Sequence, residues 1–265
     1  MSNLPQLPYP PSSITLATFR DTPEEYQNSV IRLMAIQAYA EKVAAIGVPN
    51  WHAKAPDYKR LRTIAKIIAD EARHAFWLYS TLEELGVTEK QADAIATGSE
   101  TGSVSLDGPG ALDDDANGWM DMIMNHMFLD RAGKHMIGNF CNTSYTPWAE
   151  ACAKIAKDEE MHIAFGITEF KTFVKENADN PDLSRIVSRW FVAGLNFFGP
   201  PPGKSQKMLE GYGIKPKNND ALREAFRTDV YAAMEEIGRP DLIKVSATKY
   251  PFESDFGDRD GAPPR

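Results

Sequence analysis

The chain has 265 residues, 43% hydrophobic and 25% charged, with 29 Lys and Arg against 37 Asp and Glu for a formal net charge of −8. That is the size and balance of one substantial globular core with extended ends rather than two domains. The acidic balance excludes the broad basic footprint of a nucleic-acid binder. No apolar run is long enough to cross a bilayer and no basic-then-apolar signal opens the chain, so a cytoplasmic protein with no membrane partner is expected.

Residues 1–20 carry Pro5, Pro8, Pro10 and Pro11 and read as an extended arm packed on the body or on a partner. Thr22-Pro23-Glu24-Glu25 reads as the opening of a first helix, with Thr22 as N-cap, Pro23 at N1 and a capping-box glutamate. Its stop is expected at Gly47, and a turn over 47–56 leads to a second helix from Asp57 to Gly86. A polar, glycine-containing connection over 98–116 is long enough to cross over a bundle. The third helix spans Asn117 to Phe140, with Gly133 and Gly138 inside it as points of weakness or of close packing. Thr146-Pro147 caps a fourth, which runs to Glu176. A fifth covers Asp182 to Phe198, ended by Gly199-Pro200-Pro201-Pro202-Gly203, and a sixth covers Asp220 to Ile237. Residues 243–265 form a tail. With no strong strand signal, the fold class is all-α: a four-helix bundle over 21–242 with additional C-terminal helices.

The chemistry is carried by a recurrence. Asp70-Glu71-Ala72-Arg73-His74 returns 88 positions later (159 − 71) as Asp158-Glu159-Glu160-Met161-His162, so the motif is D-E-x-x-H, twice. Leu61, Ile64, Ile67, Ile68, Ala75 and Leu78 surround the first copy at helical spacing, and Cys152, Ile155, Ala156, Ile163 and Phe170 surround the second. Each copy therefore turns a carboxylate and an imidazole to one inward face. A buried carboxylate shifts its pKa, pairs with a cation or binds a metal. Two Glu-x-x-His helices plus one acid from each of two others is how a helical bundle holds a pair of irons or manganeses.

The two further acids are Glu41 and Asp130. Glu41 interrupts a stripe of Val30, Leu33, Met34, Gln37 and Ala44; Asp130 lies among Ile123, Met127 and Ile137, with His126 and Lys134 on the same face. The candidate ligands are thus Glu41, Glu71, His74, Asp130, Glu159 and His162. Asp70 and Asp158 are placed to accept the free N–H of the opposite helix's histidine. A single Glu-x-x-His pair reads equally well as a surface salt bridge; the repetition decides for metal. His126 and His135 are not needed as ligands and read as surface or hydrogen-bonded histidines. Cys141 and Cys152 show no zinc or disulfide spacing and read as buried reduced thiols. No Gly-rich phosphate loop or dinucleotide fingerprint is present, so electrons must come from another protein.

With these residues in view, the chain resembles the catalytic oxygenase subunit family of ring-1,2-phenylacetyl-CoA epoxidases, in the phenylacetate-degradation branch of ferritin-like di-iron oxygenases. The resemblance rests on Glu41 to Trp51, Lys54-Ala55-Pro56 through His74, Leu78-Tyr79-Ser80, Asp130, Cys141-Asn142-Thr143-Ser144-Tyr145, the second motif and Phe198-Gly199-Pro200, and covers about residues 25 to 242. It implies the same six residues as iron ligands, a ferritin-like scaffold partner, and a separate electron-donating reductase. Arg73 departs from the family's glycine, which gives the first motif the look of bacterial hydrocarbon and methane hydroxylases. Arg73 therefore joins Asp70 and Asp158 in the shell around the ligands. The C-terminal tail is also shorter than in the epoxidase family.

The activity expected is insertion of one oxygen atom of O2 into an aromatic substrate, most simply epoxidation of an aryl-CoA thioester, with the second atom leaving as water. Lys54, Lys59, Arg60 and Arg62 crowd the start of the second helix, where the helix dipole disfavours positive charge, and are candidates for the phosphates of coenzyme A. A solvated basic patch or a subunit salt bridge is the plainer reading there. Phe76, Trp77, Tyr79, Trp148 and Phe165 read as core, or as a pocket lining near the motifs. Two other readings share the ligands: a stand-alone di-metal oxygenase or oxidase on a different small molecule, working as a homodimer, and a non-enzymatic iron-binding or scaffold protein. The same donors accept manganese or a mixed manganese–iron pair.

Overall fold

The computed structural model describes residues 9–98 and 118–244, with 47–52 described in backbone only. Helix α1 (Glu24–His52) and α2 (Tyr58–Glu84) form an antiparallel hairpin, to which the short α3 (Glu89–Thr97) is attached. A third rod is built in three parts, α4 (Gly118–Met124), a π turn (Asn125–Leu129) and α5 (Asp130–Phe140). Helix α6 (Thr146–Glu176) packs against that rod and against α2, which completes an all-α four-helix bundle. Beyond it α7 (Leu183–Asn196), α8 (Lys204–Gly211) and α9 (Asn219–Ile237) follow, with α7 seated on the π turn and α9 on α5. No helix among the described residues is long and apolar enough to cross a membrane.

The amphipathic stripes explain the packing. On α1 the buried residues Tyr26, Val30, Met34, Ala38 and Glu41 recur every three or four positions, and on α2 Ile64, Ile67, Glu71, His74, Leu78 and Leu82 do so. Two apolar cores result. One gathers Ile64, Ile67, Met127, Phe128 and Phe170 with α7 and α9; the other gathers Phe19, Met34, Leu78, Phe140, Trp148 and Ile155. The motif residues fall between them along both α2 and α6, so the bundle carries a polar layer with an apolar plug on each side.

The described part of the N-terminal segment lies on the body. Ser12 N–H donates to the Thr143 carbonyl and Ile14 N–H to Ser144 (both 2.9 Å), and Ile14 pairs with Tyr145 in a parallel bridge. Gly213, at φ +65°, turns beneath this segment where a side chain would strike the Tyr9 carbonyl.

Several expected boundaries move. Helix α1 continues through Gly47 and Pro49 to His52, because a glycine costs a helix only about 1 kcal/mol and does not end one by itself. Thr22 does not cap α1: its hydroxyl donates to the Phe19 carbonyl at 2.6 Å and it closes a preceding 3-10 turn. Thr146 is the first residue of α6 rather than its cap, which is Tyr145. Asp57 does cap α2, accepting from the backbone of Lys59 (2.9 Å) and Arg60 (3.0 Å). Helices α3 and α8 were not expected. Beyond Gly98, the 98–116 connection lies outside the described residues, as does the tail past Lys244. Cys152 is buried and Cys141 half-buried, both free.

Candidate metal centre

Each candidate ligand comes from a bundle helix: Glu41 from α1, Glu71 and His74 from α2, Asp130 from the first turn of α5, and Glu159 and His162 from α6. Their ligand atoms converge in two groups. Glu41, Glu71, His74 and Glu159 each offer an atom within 4.8 Å of one another, and Asp130, Glu159 and His162 do the same. Glu159 belongs to both.

His74 Nδ1 lies 3.4 Å from Glu41, 3.5 Å from Glu159 and 3.9 Å from Glu71. His162 Nδ1 lies 3.1 Å from Glu71 and 3.5 Å from Glu159. Both Nδ1 atoms are buried without a well-formed hydrogen bond, and both rings are fully buried. Burial pushes the Glu71 carboxyl well above its usual range, against the pull of His162, and raises Glu159 likewise. For His162 burial, the largest effect, works against the charged ring; the attraction of the nearby Glu159 and Glu71 carboxylates outweighs it and raises the pKa to about 11. Without a cation, the cluster keeps protons where it has too many negative charges.

On the far side of each ring the two motifs exchange partners. His74 Nε2, on α2, donates to Asp158 of α6 (3.2 Å), and His162 Nε2, on α6, faces Asp70 of α2 (3.4 Å). Arg73 joins the two aspartates, donating to Asp70 at 2.5 Å and Asp158 at 2.8 Å, and Lys66 adds a contact to Asp70 at 2.7 Å. Burial opposes ionisation of both aspartates, but these donors overcome it and hold each below the usual carboxylate range.

The basic cluster is divided. Arg60 is drawn into the fold, its guanidinium bonded to Glu169 and Asp57 (both 2.6 Å), while Lys54, Lys59 and Arg62 are exposed. With Asp57 capping the helix, the dipole conflict seen in the sequence is relieved within the chain. Of the aromatic residues, Trp77 stacks on His74 (5.9 Å between centroids), Trp148 is core with its N–H on Gln37 (2.8 Å), Tyr79 donates to Asp93, and Phe76 is 65% exposed. Gly133 and Gly138 are not points of close packing; a side chain at either would meet nothing within 4 Å.

Sequence reasoning set aside one residue that the structure places at the cluster. His126 is buried, its Nδ1 in direct hydrogen-bonding contact with Asp130 Oδ2. The i, i+4 spacing of the two residues was the available signal. His135 instead pairs with Asp229 of α9 at 3.1 Å.

The family described as phenylacetic acid catabolic protein matches the chain over residues 16–241. A component of the 1,2-phenylacetyl-CoA epoxidase of Escherichia coli (strain K12), named as one of that enzyme's subunits, is 27% identical over 228 residues, covering 83% of this chain and 72% of that protein.

Proposed function

The chain belongs to the phenylacetic acid catabolic protein family, and on that premise we propose that it is the oxygenase subunit of a di-iron monooxygenase. The substrate we assign is an aryl-CoA thioester of the phenylacetyl type, epoxidised on its ring. The observation that carries the reading is Glu159, shared between two largely buried groups of candidate ligands that each include an imidazole nitrogen lacking a well-formed hydrogen bond.

The residues present fit a pair of divalent cations. Glu41, Glu71, His74 and Glu159 would hold one; Asp130, Glu159 and His162 would hold the other. Four carboxylates balance four positive charges, and a donor set of oxygen and imidazole nitrogen without thiolate suits iron, or manganese in its place. When bound, the iron pair would supply redox-active metal and open coordination positions for O2; overall, with two electrons from the reductase and two protons, one oxygen atom goes to substrate and one to water.

The chain's own residues prepare that site. Ionised Asp158 accepts from His74 Nε2 and keeps a proton there, so that Nδ1, facing the carboxylates, is the nitrogen that would give up its proton to a metal; Asp70 does the same for His162. The apolar plugs on either side limit access of bulk water. Lys54, Lys59 and Arg62 form the exposed cationic end that we assign to the phosphates of coenzyme A. The relative is named as one subunit of its enzyme, which supports further subunits here; among them we place a scaffold partner and a reductase delivering electrons. Cytoplasmic location is part of the same proposal.

The test is elemental analysis of protein from iron-supplemented cells, followed by turnover of phenylacetyl-CoA with a reductase and O2. About two irons per chain are expected in the parent. Glu159→Ala, which removes a member of both groups, is expected to lose metal and product together. Parental iron content and turnover in that variant would sink the assignment.

A further inference from the structure

Asp130 reaches the cluster from a helix with an irregular start. The turn before it, Asn125–Leu129, is π-helical, and the Asp130 N–H bonds back to the Asn125 carbonyl. Such a turn accommodates one residue more than an α turn and changes the face that its side chains present. Here it turns His126 toward α6, with the ring 6.2 Å from that of His162 and 5.9 Å from Phe165. The close approach depends on Gly166, one turn beyond His162: a side-chain carbon there would fall 2.7 Å from both the Cβ and the carbonyl carbon of His126.

His126 is 1% exposed and its Nε2 has no hydrogen-bond partner, so the contact of Nδ1 with Asp130 Oδ2 is the ring's polar engagement. The other carboxylate oxygen, Oδ1, accepts from Asn125 Nδ2 at 3.1 Å. Both oxygens of Asp130 are therefore gripped from within the π turn. The histidines of the two motifs are backed by aspartates, whereas at Asp130 the order is reversed and a histidine backs the carboxylate.

We propose that His126 is a positioning residue for Asp130, holding Oδ2 so that the carboxylate offers a single oxygen to the metal on the His162 side. This rests on the two-metal reading above and deepens it, because it makes the two positions unequal. The site of Glu41, Glu71 and His74 has no stake in His126, while the site of Asp130 and His162 depends on it. Held through Oδ1 by Asn125 alone, the carboxylate could pivot about that one bond and chelate through both oxygens or swing away, and either changes the number of positions left open at that metal.

The experiment compares His126→Asn, whose amide N–H can stand near the place of Nδ1–H, with His126→Leu, which keeps bulk without a donor. His126→Met serves as a second apolar variant if the leucine protein fails to fold, judged by thermal melting without metal. Each protein is titrated anaerobically with Fe2+, then examined for metal per chain and by Mössbauer spectroscopy. The expected result is about two irons in the parent and in His126→Asn, and about one in the apolar variants. Affinity for the second iron should fall by about ten- to a hundredfold in the apolar variants, with the spectrum of the remaining iron unchanged. Two irons bound with parental affinity and spectrum in an apolar variant would overturn the proposal. So would equal loss in the asparagine and apolar variants, which would reduce His126 to packing. A parent that binds no pair would overturn this inference and the function proposed above together.

Discussion

Asp158→Asn tests the exchange of carboxylates between α2 and α6. In the parent, Asp158 accepts from His74 Nε2 at 3.2 Å and from Arg73 at 2.8 Å, and these donors keep it ionised against the cost of burial. The substitution keeps shape but supplies an N–H of its own. The introduced amide can then donate to Nε2, which admits the opposite tautomer of His74 and turns an N–H toward the ligand group. Loss of such a backing residue costs about 10- to 100-fold in metal affinity, equivalent to about 1.4 to 2.7 kcal/mol. Stability without metal should change much less. The side chains of Arg73 and Asp158 are 41% and 25% exposed, and a pair so placed contributes about 1 kcal/mol or less, or a few degrees of Tm. Chelator competition with Co2+ or Fe2+, alongside thermal melting of the metal-free protein, separates the two effects. Affinity within about threefold of the parent, set against the decade or more expected, would refute the argument that Asp158 fixes the imidazole.

The metal-free protein should lose stability as pH rises. The folded pKa of His162 is raised from 6.5 to about 11, so its contribution is complete below pH 6.5 and is lost as pH climbs toward 11; the raised Glu71 and Glu159 act in the same direction from their own lower starting points. Metal affinity should move oppositely, rising with pH as those protons become easier to displace, which melting curves with chelator and binding titrations at two pH values would check. Asp57→Ala removes the acceptor for the Lys59 and Arg60 N–H groups and should cost about 1 kcal/mol, read as a drop of about 2–4 °C in Tm. The double substitution Lys59→Glu, Arg62→Glu should raise KM for acyl-CoA with little effect on metal content; an unchanged KM would remove these residues from the CoA site.

The two motif helices are legible because two signals coincide in each, an i, i+3 pair of candidate donors and an apolar stripe in the same phase. That is why the sequence places α6 at 146–176 and why Glu41, an acid inside an apolar stripe, stands out. What escaped was either local and overlooked or tertiary in origin. The start of α3 is written in the sequence as Thr88 and Gln91, which form a reciprocal capping box, but the segment is short and only weakly apolar. The π turn has no comparable signature. Its setting depends on Gly166, forty positions beyond His126 (166 − 126), and that pairing of a glycine with a remote backbone is visible only once α6 is docked. Arg60 shows the converse limit: its charge is plain in the sequence, but not its partner Glu169, 109 positions away.

The exchange of aspartates between the motifs also sets an order on synthesis. The ribosome delivers Glu41, Glu71 and His74 first, and Asp158 comes 84 positions after the histidine it backs. A nascent chain that has made only the first hairpin owns three donors, but His74 is free to rotate and the shared acid is missing. Iron taken up at that stage would be held loosely and released readily. On the two-metal reading, firm capture would wait until α6 has closed on α2, so that only a chain with a completed bundle would hold the pair.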